Sequence, residues 1–115
     1  MEEYKLFFKI YNLSVNEKDI IMDIKMDHIE GTNKGKVVLY ALSTCQWCQR
    51  VKELLKELNI DYYYIDVDLA DENSQEEIIE EMRKYNPACS FPTLILDDNY
   101  SIIGFDEEKI RERFK

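Results

Sequence analysis

Thr44-Cys45-Gln46-Trp47-Cys48 ends an apolar run from Lys36 to Leu42 and opens a helical pattern. Residues three apart share one face of a helix, so the two sulfurs sit a turn apart and can close a small-ring disulfide. Cys45 falls in the first helical turn, where backbone N–H groups without a helical partner and the positive end of the helix dipole favour a thiolate. A downward shift of ~2 pKa units corresponds to ~3 kcal/mol, more than one helix terminus supplies, so neighbouring groups must contribute. A C-x-x-C pair at a strand-to-helix junction reads as a redox or a metal motif.

On the upstream side, Val37-Val38-Leu39-Tyr40-Ala41 is a near-continuous apolar run with β-branched residues, as a central strand buried on both faces requires. Ser43 or Thr44 is placed to cap the helix. Downstream, Val51, Leu54, Leu55 and Leu58 form an i, i+3, i+4, i+7 stripe, and Arg50, Lys52, Glu53, Lys56 and Glu57 fall on the outer face. Asp61 to Asp68, rich in tyrosine, reads as a second strand, and a strand-helix-strand unit of this length pairs its strands in parallel by a right-handed crossover. Ser74 with Glu77 is a capping-box signal for a second helix, with Ile78, Ile79, Met82 and Tyr85 as its stripe and Asn86-Pro87 as its stop. A loop from Cys89 through Phe91-Pro92 enters a third strand ending at Leu96. Asp97-Asp98-Asn99 is a hairpin turn, Tyr100 to Ile103 a fourth strand that Gly104 breaks, and Asp106 to Lys115 a closing helix with Ile110 and Phe114 on one face. The implied fold class is α/β, a four-stranded mixed sheet flanked by helices.

Toward the N-terminus, Tyr4 to Tyr11 and the alternating segment from Met22 read as two strands of an extra β-hairpin, which could extend the sheet edge, cover a face or build a partner surface. The loop Glu30 to Gly35 marks the boundary, giving an N-terminal extension over 1–33 and a redox domain over 34–115. His28, the sole histidine, is an exposed polar residue by position, with a metal or catalytic role as the alternative.

With 115 residues and a hydrophobic fraction of 45%, the chain has enough material for one core without disulfide staples. Its 3 cysteines are too few, and odd in number, for a secreted disulfide framework. No apolar run approaches the roughly 18 residues of a membrane span and no signal-peptide pattern opens the chain, so a cytoplasmic protein is expected. The net charge of −9 argues against nucleic acid and anionic membranes as partners.

The dithiol opening a helix after the first parallel strand, together with Phe91-Pro92-Thr93 leading into an antiparallel strand, resembles the glutaredoxin family of the thioredoxin superfamily from about Lys36 to Phe114. The resemblance implies a thioredoxin-like fold in which Pro92 is cis and faces the dithiol, while the backbone of Phe91 binds the substrate chain. Ile103 to Glu108 resembles the glycine turn before the last glutaredoxin helix, which adds Gly104 to the substrate site. Glutathione-using members carry a lysine where this chain has Leu42 and a Gly-Gly pair where it has Ile103-Gly104; both features help to hold glutathione's carboxylates. The Gly-Phe arrangement looks more like the glutaredoxin-like redoxins that serve ribonucleotide reductase and are recharged by a reductase protein.

The reading is a thiol-disulfide oxidoreductase without a bound cofactor, in which Cys45 attacks a protein disulfide and Cys48 resolves the mixed disulfide. A disulfide reductase or glutathione returns the electrons. Thr44, Gln46 and Trp47 would contact substrate alongside Phe91, Pro92 and Gly104; Thr44 alternatively only caps the helix, and Trp47 alternatively packs in the core. The competing class is zinc or iron–sulfur binding through Cys45, Cys48 and Cys89, with His28 or an external thiol as a fourth ligand. Cys89 is otherwise an extra redox thiol or an inert cysteine.

Overall fold

The computed structural model describes residues 26–115. The expected hairpin lies outside the described residues up to position 25, and the described part that follows forms a short strand, β1 (Asp27–Ile29). After it come β2 (Val37–Ala41), α1 (Gln46–Glu57), β3 (Tyr62–Asp66), a 3-10 turn (Val67–Leu69), α2 (Glu72–Arg83), β4 (Thr93–Leu96), β5 (Tyr100–Ile103) and α3 (Glu107–Arg113). They build one five-stranded sheet in the order β1-β3-β2-β4-β5. Strands β2 and β3 are parallel, while β1 on β3, β4 on β2 and β5 on β4 are antiparallel. The four expected strands form the inner sheet and β1 adds a fifth at its edge.

The apolar run in β2 is continuous because both faces of that strand are covered. Val37, Leu39 and Ala41 meet Val51, Leu54 and Leu55 of α1 together with Ile110 and Phe114 at the closing helix. Val38 and Tyr40 point the other way, against Ile78 and Met82 of α2. Strand β4 divides likewise, Leu94 and Leu96 to the first core and Ile95 to the second. Full burial of each such side chain is worth about 1.5–3 kcal/mol, so this two-sided packing fixes the register of the central strands.

Three local expectations are corrected. The first helix is capped by neither Ser43 nor Thr44: its N-cap is Cys45, whose side chain accepts from the Cys48 N–H. The second helix starts before Ser74, because Asp71 accepts from both the Ser74 N–H and its hydroxyl and is the better-placed cap. Lys52 does not lie on the outer face; its stem is half-buried and its ammonium reaches Asp66 on β3. The hairpin turn expected at Asp97-Asp98-Asn99 joins Leu96 to its register partner Tyr100, with φ of 53° at Asp97 and 59° at Asp98.

Candidate functional site

The two cysteines are unpaired thiols on the opening turn of α1 with opposite exposures. Cys45 is half-exposed, at φ −85° and ψ 117°, and its sulfur accepts the Cys48 N–H at 3.1 Å. Cys48, inside the helix, is 0% exposed and belongs to the core beneath α1. The turn into the helix closes with a Cys45 N–H bond to the Leu42 carbonyl at 3.1 Å. Burial, and next the hydrogen bond with Cys45, push the Cys48 thiol up to about 12, while the Leu42 backbone and Lys52 pull the other way.

Sheet register brings the remaining segments to the same end. Ala41, the last residue of β2, stands opposite Asp66 of β3, and Tyr40 stands opposite Thr93 of β4. One step further along that antiparallel ladder, Pro92 comes beside Ala41. The Phe91-Pro92 peptide is cis, as the resemblance implied. Pro92 is buried and its carbonyl accepts the Gly104 N–H at 2.8 Å, which ties the exit of β5 to the entry of β4. Gly104 holds φ +79°, a conformation other residues adopt only with strain. Phe91 is half-buried between the two cores. Thr44 and Gln46 are exposed beside Cys45 along the chain.

Several groups around this end carry no motif. Asn86 is 2% exposed, and its amide donates to the Ser90 carbonyl, the Ser90 hydroxyl and the Thr93 hydroxyl at 3.1, 3.1 and 2.8 Å, while its side-chain oxygen accepts from the Ala88 N–H at 3.2 Å. It thereby holds the whole loop that delivers Phe91 and Pro92. On the other flank, Asp68 accepts from the Ser43 backbone N–H at 2.8 Å and from its hydroxyl; these bonds hold its carboxyl below the usual range. Trp47 is 56% exposed and stacks on Phe105, ring centroids 5.9 Å apart, with the Arg50 guanidinium 5.9 Å from one ring and 5.8 Å from the other. The core-packing alternative for Trp47 is thus excluded. Trp47 was singled out in the sequence as a substrate contact, but its pairing with Arg50 and Phe105 was not.

Among the described residues no three His, Cys, Asp or Glu side chains are placed to hold one metal ion. Cys45 and Cys48 lie toward the core under α1, whereas Cys89 packs against the core under α2. His28 is at the sheet edge, stacked on Tyr63 at 4.4 Å and bonded to Asp61 at 3.0 Å. The three-cysteine metal set is not assembled by this fold.

The sequence profile described as Glutaredoxin matches residues 37–101, more than half of the chain, from the start of β2 into β5. The chain is a member of the glutaredoxin family. Its fold matches the glutaredoxin of Methanosarcina mazei with a TM-score of 0.73 and 44% identity, over 78% of this chain and 87% of that one. The methanoredoxin of Methanosarcina acetivorans is similarly close, at TM-score 0.71 and 45% identity over 73% and 88% of the two chains. An uncharacterized glutaredoxin-like 8.6 kDa protein in a rubredoxin operon of Clostridium pasteurianum is 36% identical over 74 residues, 64% of this chain and 91% of its own length. The glutaredoxin C-x-x-C centre is thus Cys45 and Cys48, on a thioredoxin-like fold.

Proposed function

We propose that this glutaredoxin reduces protein disulfides through a dithiol cycle, and the observation that carries the reading is the unequal exposure of two thiols on one helical turn. The Cys45 sulfur lies at the helix terminus, where it accepts the Cys48 N–H. Cys45 attacks a substrate sulfur, forming a mixed disulfide and releasing the substrate's other sulfur as a thiolate. Cys48 then gives up its proton and attacks Cys45; the Cys45–Cys48 bond forms, the mixed disulfide breaks and the second substrate thiolate departs and is protonated. Two electrons have passed from the dithiol to the substrate. A disulfide reductase or glutathione restores the pair.

In this reading the Phe91 backbone and Pro92 line an extended substrate chain, Gly104 leaves room at the turn opposite, and Trp47 with Gln46 and Thr44 contacts the partner outside the reacting sulfurs. No side-chain atom would crowd Gly104, where an added Cβ has nothing within 4 Å. Residues 34–115 carry the redox domain and residues 1–33 an extension that adds β1 to its edge. The half-buried Leu42 supplies no charge before the dithiol, which favours a reductase protein over glutathione as donor.

The test is Cys48→Ser with a disulfide-containing protein. A stable covalent adduct on Cys45, with the first attack intact, is expected; an absence of adduct with wild-type protein active would overturn the dithiol cycle. The donor is read separately by titrating the wild-type pair: a potential near the thioredoxin value of about −270 mV supports a reductase, and one near the glutaredoxin range of roughly −200 to −230 mV supports glutathione.

A further inference from the structure

The dithiol cycle asks the least willing thiol in the site to ionise. Cys48 sits in an apolar core, away from water, and must become an anion before it can attack the mixed disulfide. The fold places one cation where it bears on that problem. Lys52 is four residues after Cys48 on α1, so the two share a helix face, and helical side chains lean toward the N-terminus, which carries Lys52 back toward Cys48.

Its position is built rather than adventitious. The Lys52 side chain is 16% exposed, its ammonium lies 3.2 Å from an Asp66 carboxylate oxygen, and it stands 4.0 Å above the Tyr64 ring. Tyr64 and Asp66 are alternate residues of β3 and face α1 together. Asp66 is the register partner of Ala41, at the end of β2 from which the chain runs to the dithiol. The carboxylate and ring thus fix a long flexible side chain at the dithiol end of the sheet, under the helix that carries both thiols.

We propose that Lys52, held by Asp66 and Tyr64, is a positioning residue for the resolving step, stabilising Cys48 as a thiolate while leaving the first attack by Cys45 to the helix terminus. The proposal rests on the dithiol cycle above. Among the described residues, Cys45, the Leu42 backbone and Lys52 act on Cys48; Asp66 faces Lys52 from β3; Asp68 senses the same lysine from the 3-10 turn; and Asp27 of β1 reaches Tyr64. Of these, Lys52 supplies the positive charge, and its attraction lowers the cost of the Cys48 anion. During resolution the Cys48 proton passes to water, the Cys45–Cys48 bond forms, and the leaving thiolate takes up a proton, so no further reactant is required.

With every variant made on a Cys89→Ser background, so that the third free thiol releases nothing, rapid mixing of the reduced protein with Ellman's reagent separates the two steps: the first nitrobenzoate thiolate reports attack by Cys45 and the second reports resolution by Cys48. Lys52→Gln is expected to slow the second release roughly three- to tenfold at neutral pH and move its pH midpoint upward by up to about one unit, with the first release unchanged. Lys52→Arg keeps the charge and restores the second release. An unaltered second-release midpoint in Lys52→Gln overturns the proposal, as does an equal loss in both releases that Lys52→Arg shares. Cys48→Ser separates this from failure of the cycle itself: if that variant still gives the second release, the dithiol reading falls, whereas Lys52 alone is wrong if only its own variants show no effect.

Discussion

The two ends of strand β2 are fastened by the same device and put to different use. At its start, Asp97 accepts the Lys36 N–H at 2.9 Å; just past its end, Asp68 accepts the Ser43 N–H at 2.8 Å. The first end then closes on itself: Arg113 reaches Asp97 at 2.8 Å, Lys36 reaches Asp98 at 2.9 Å, and the Asp97 N–H bonds to the Lys36 carbonyl. The second end instead leaves an exposed Trp47, a half-exposed thiol and an open Gly104. One end is a closed structural knot; the other uses equivalent fastening to hold reactive groups toward solvent.

The sharpest way to break this contrast is at the reactive end. Cys45→Ser is expected to lower disulfide reduction on the order of 10³-fold or more, the scale of losing a nucleophile, with the melting temperature little changed; an active variant would refute the assignment of Cys45. Alkaline pH should be next in size. The Cys48 thiol rises from 9.0 to about 12, so between those values the native state keeps a proton that the unfolded chain has lost. Stability of the reduced protein therefore falls as pH climbs through that window, by a few kcal/mol in all at about 1.4 kcal/mol per unit. Cys48→Ala should remove this part of the alkaline loss, and Tyr62, raised by burial from 10.0 to about 12, should leave a residual slope. Urea unfolding across that range reads both.

The two positive-φ glycines sharpen the contrast further. At the closed end, Gly35 holds φ +102°, and an added Cβ would lie 2.7 Å from the Asp97 carboxylate. Gly35→Ala should cost about 1–3 kcal/mol of stability with turnover per folded molecule preserved. Gly104→Ala carries only the strain of its φ, about 1–2 kcal/mol, and should instead weaken substrate turnover. Equal activity losses in the two variants would erase the distinction between the ends. Smallest is Arg113→Ala: its exposed pair with Asp97 should be worth about 0–1 kcal/mol, seen as a slight shift in the urea midpoint.

Strands β2 and β4 and the helix stripes were legible because burial on two faces or one writes directly into apolar spacing. The dithiol was legible from its own spacing at a strand-to-helix junction, whereas the cis geometry of Pro92 was legible through a family resemblance, and the register that brings Pro92 beside Ala41 is one that Val38 or Leu94 alone does not announce. What escaped was polar. Lys52 sits on the flank of its helix, and a periodicity argument sends any charged flank residue outward; only the carboxylate across on β3 draws it in. Asn86 looked like a helix stop, because its four hydrogen bonds depend on a loop folding back over it. Asp71 outcompeted the Ser74–Glu77 signal as the cap of α2, a choice between adjacent polar residues that composition does not make.

Trp47 is the only indole in the chain, and it lies between the two thiols in sequence while stacking on Phe105. Thiols and disulfides quench indole emission to different extents. Fluorescence at this one position therefore follows the oxidation state of the pair and the arrival of a partner, with no dye attached and no second tryptophan to confuse the signal.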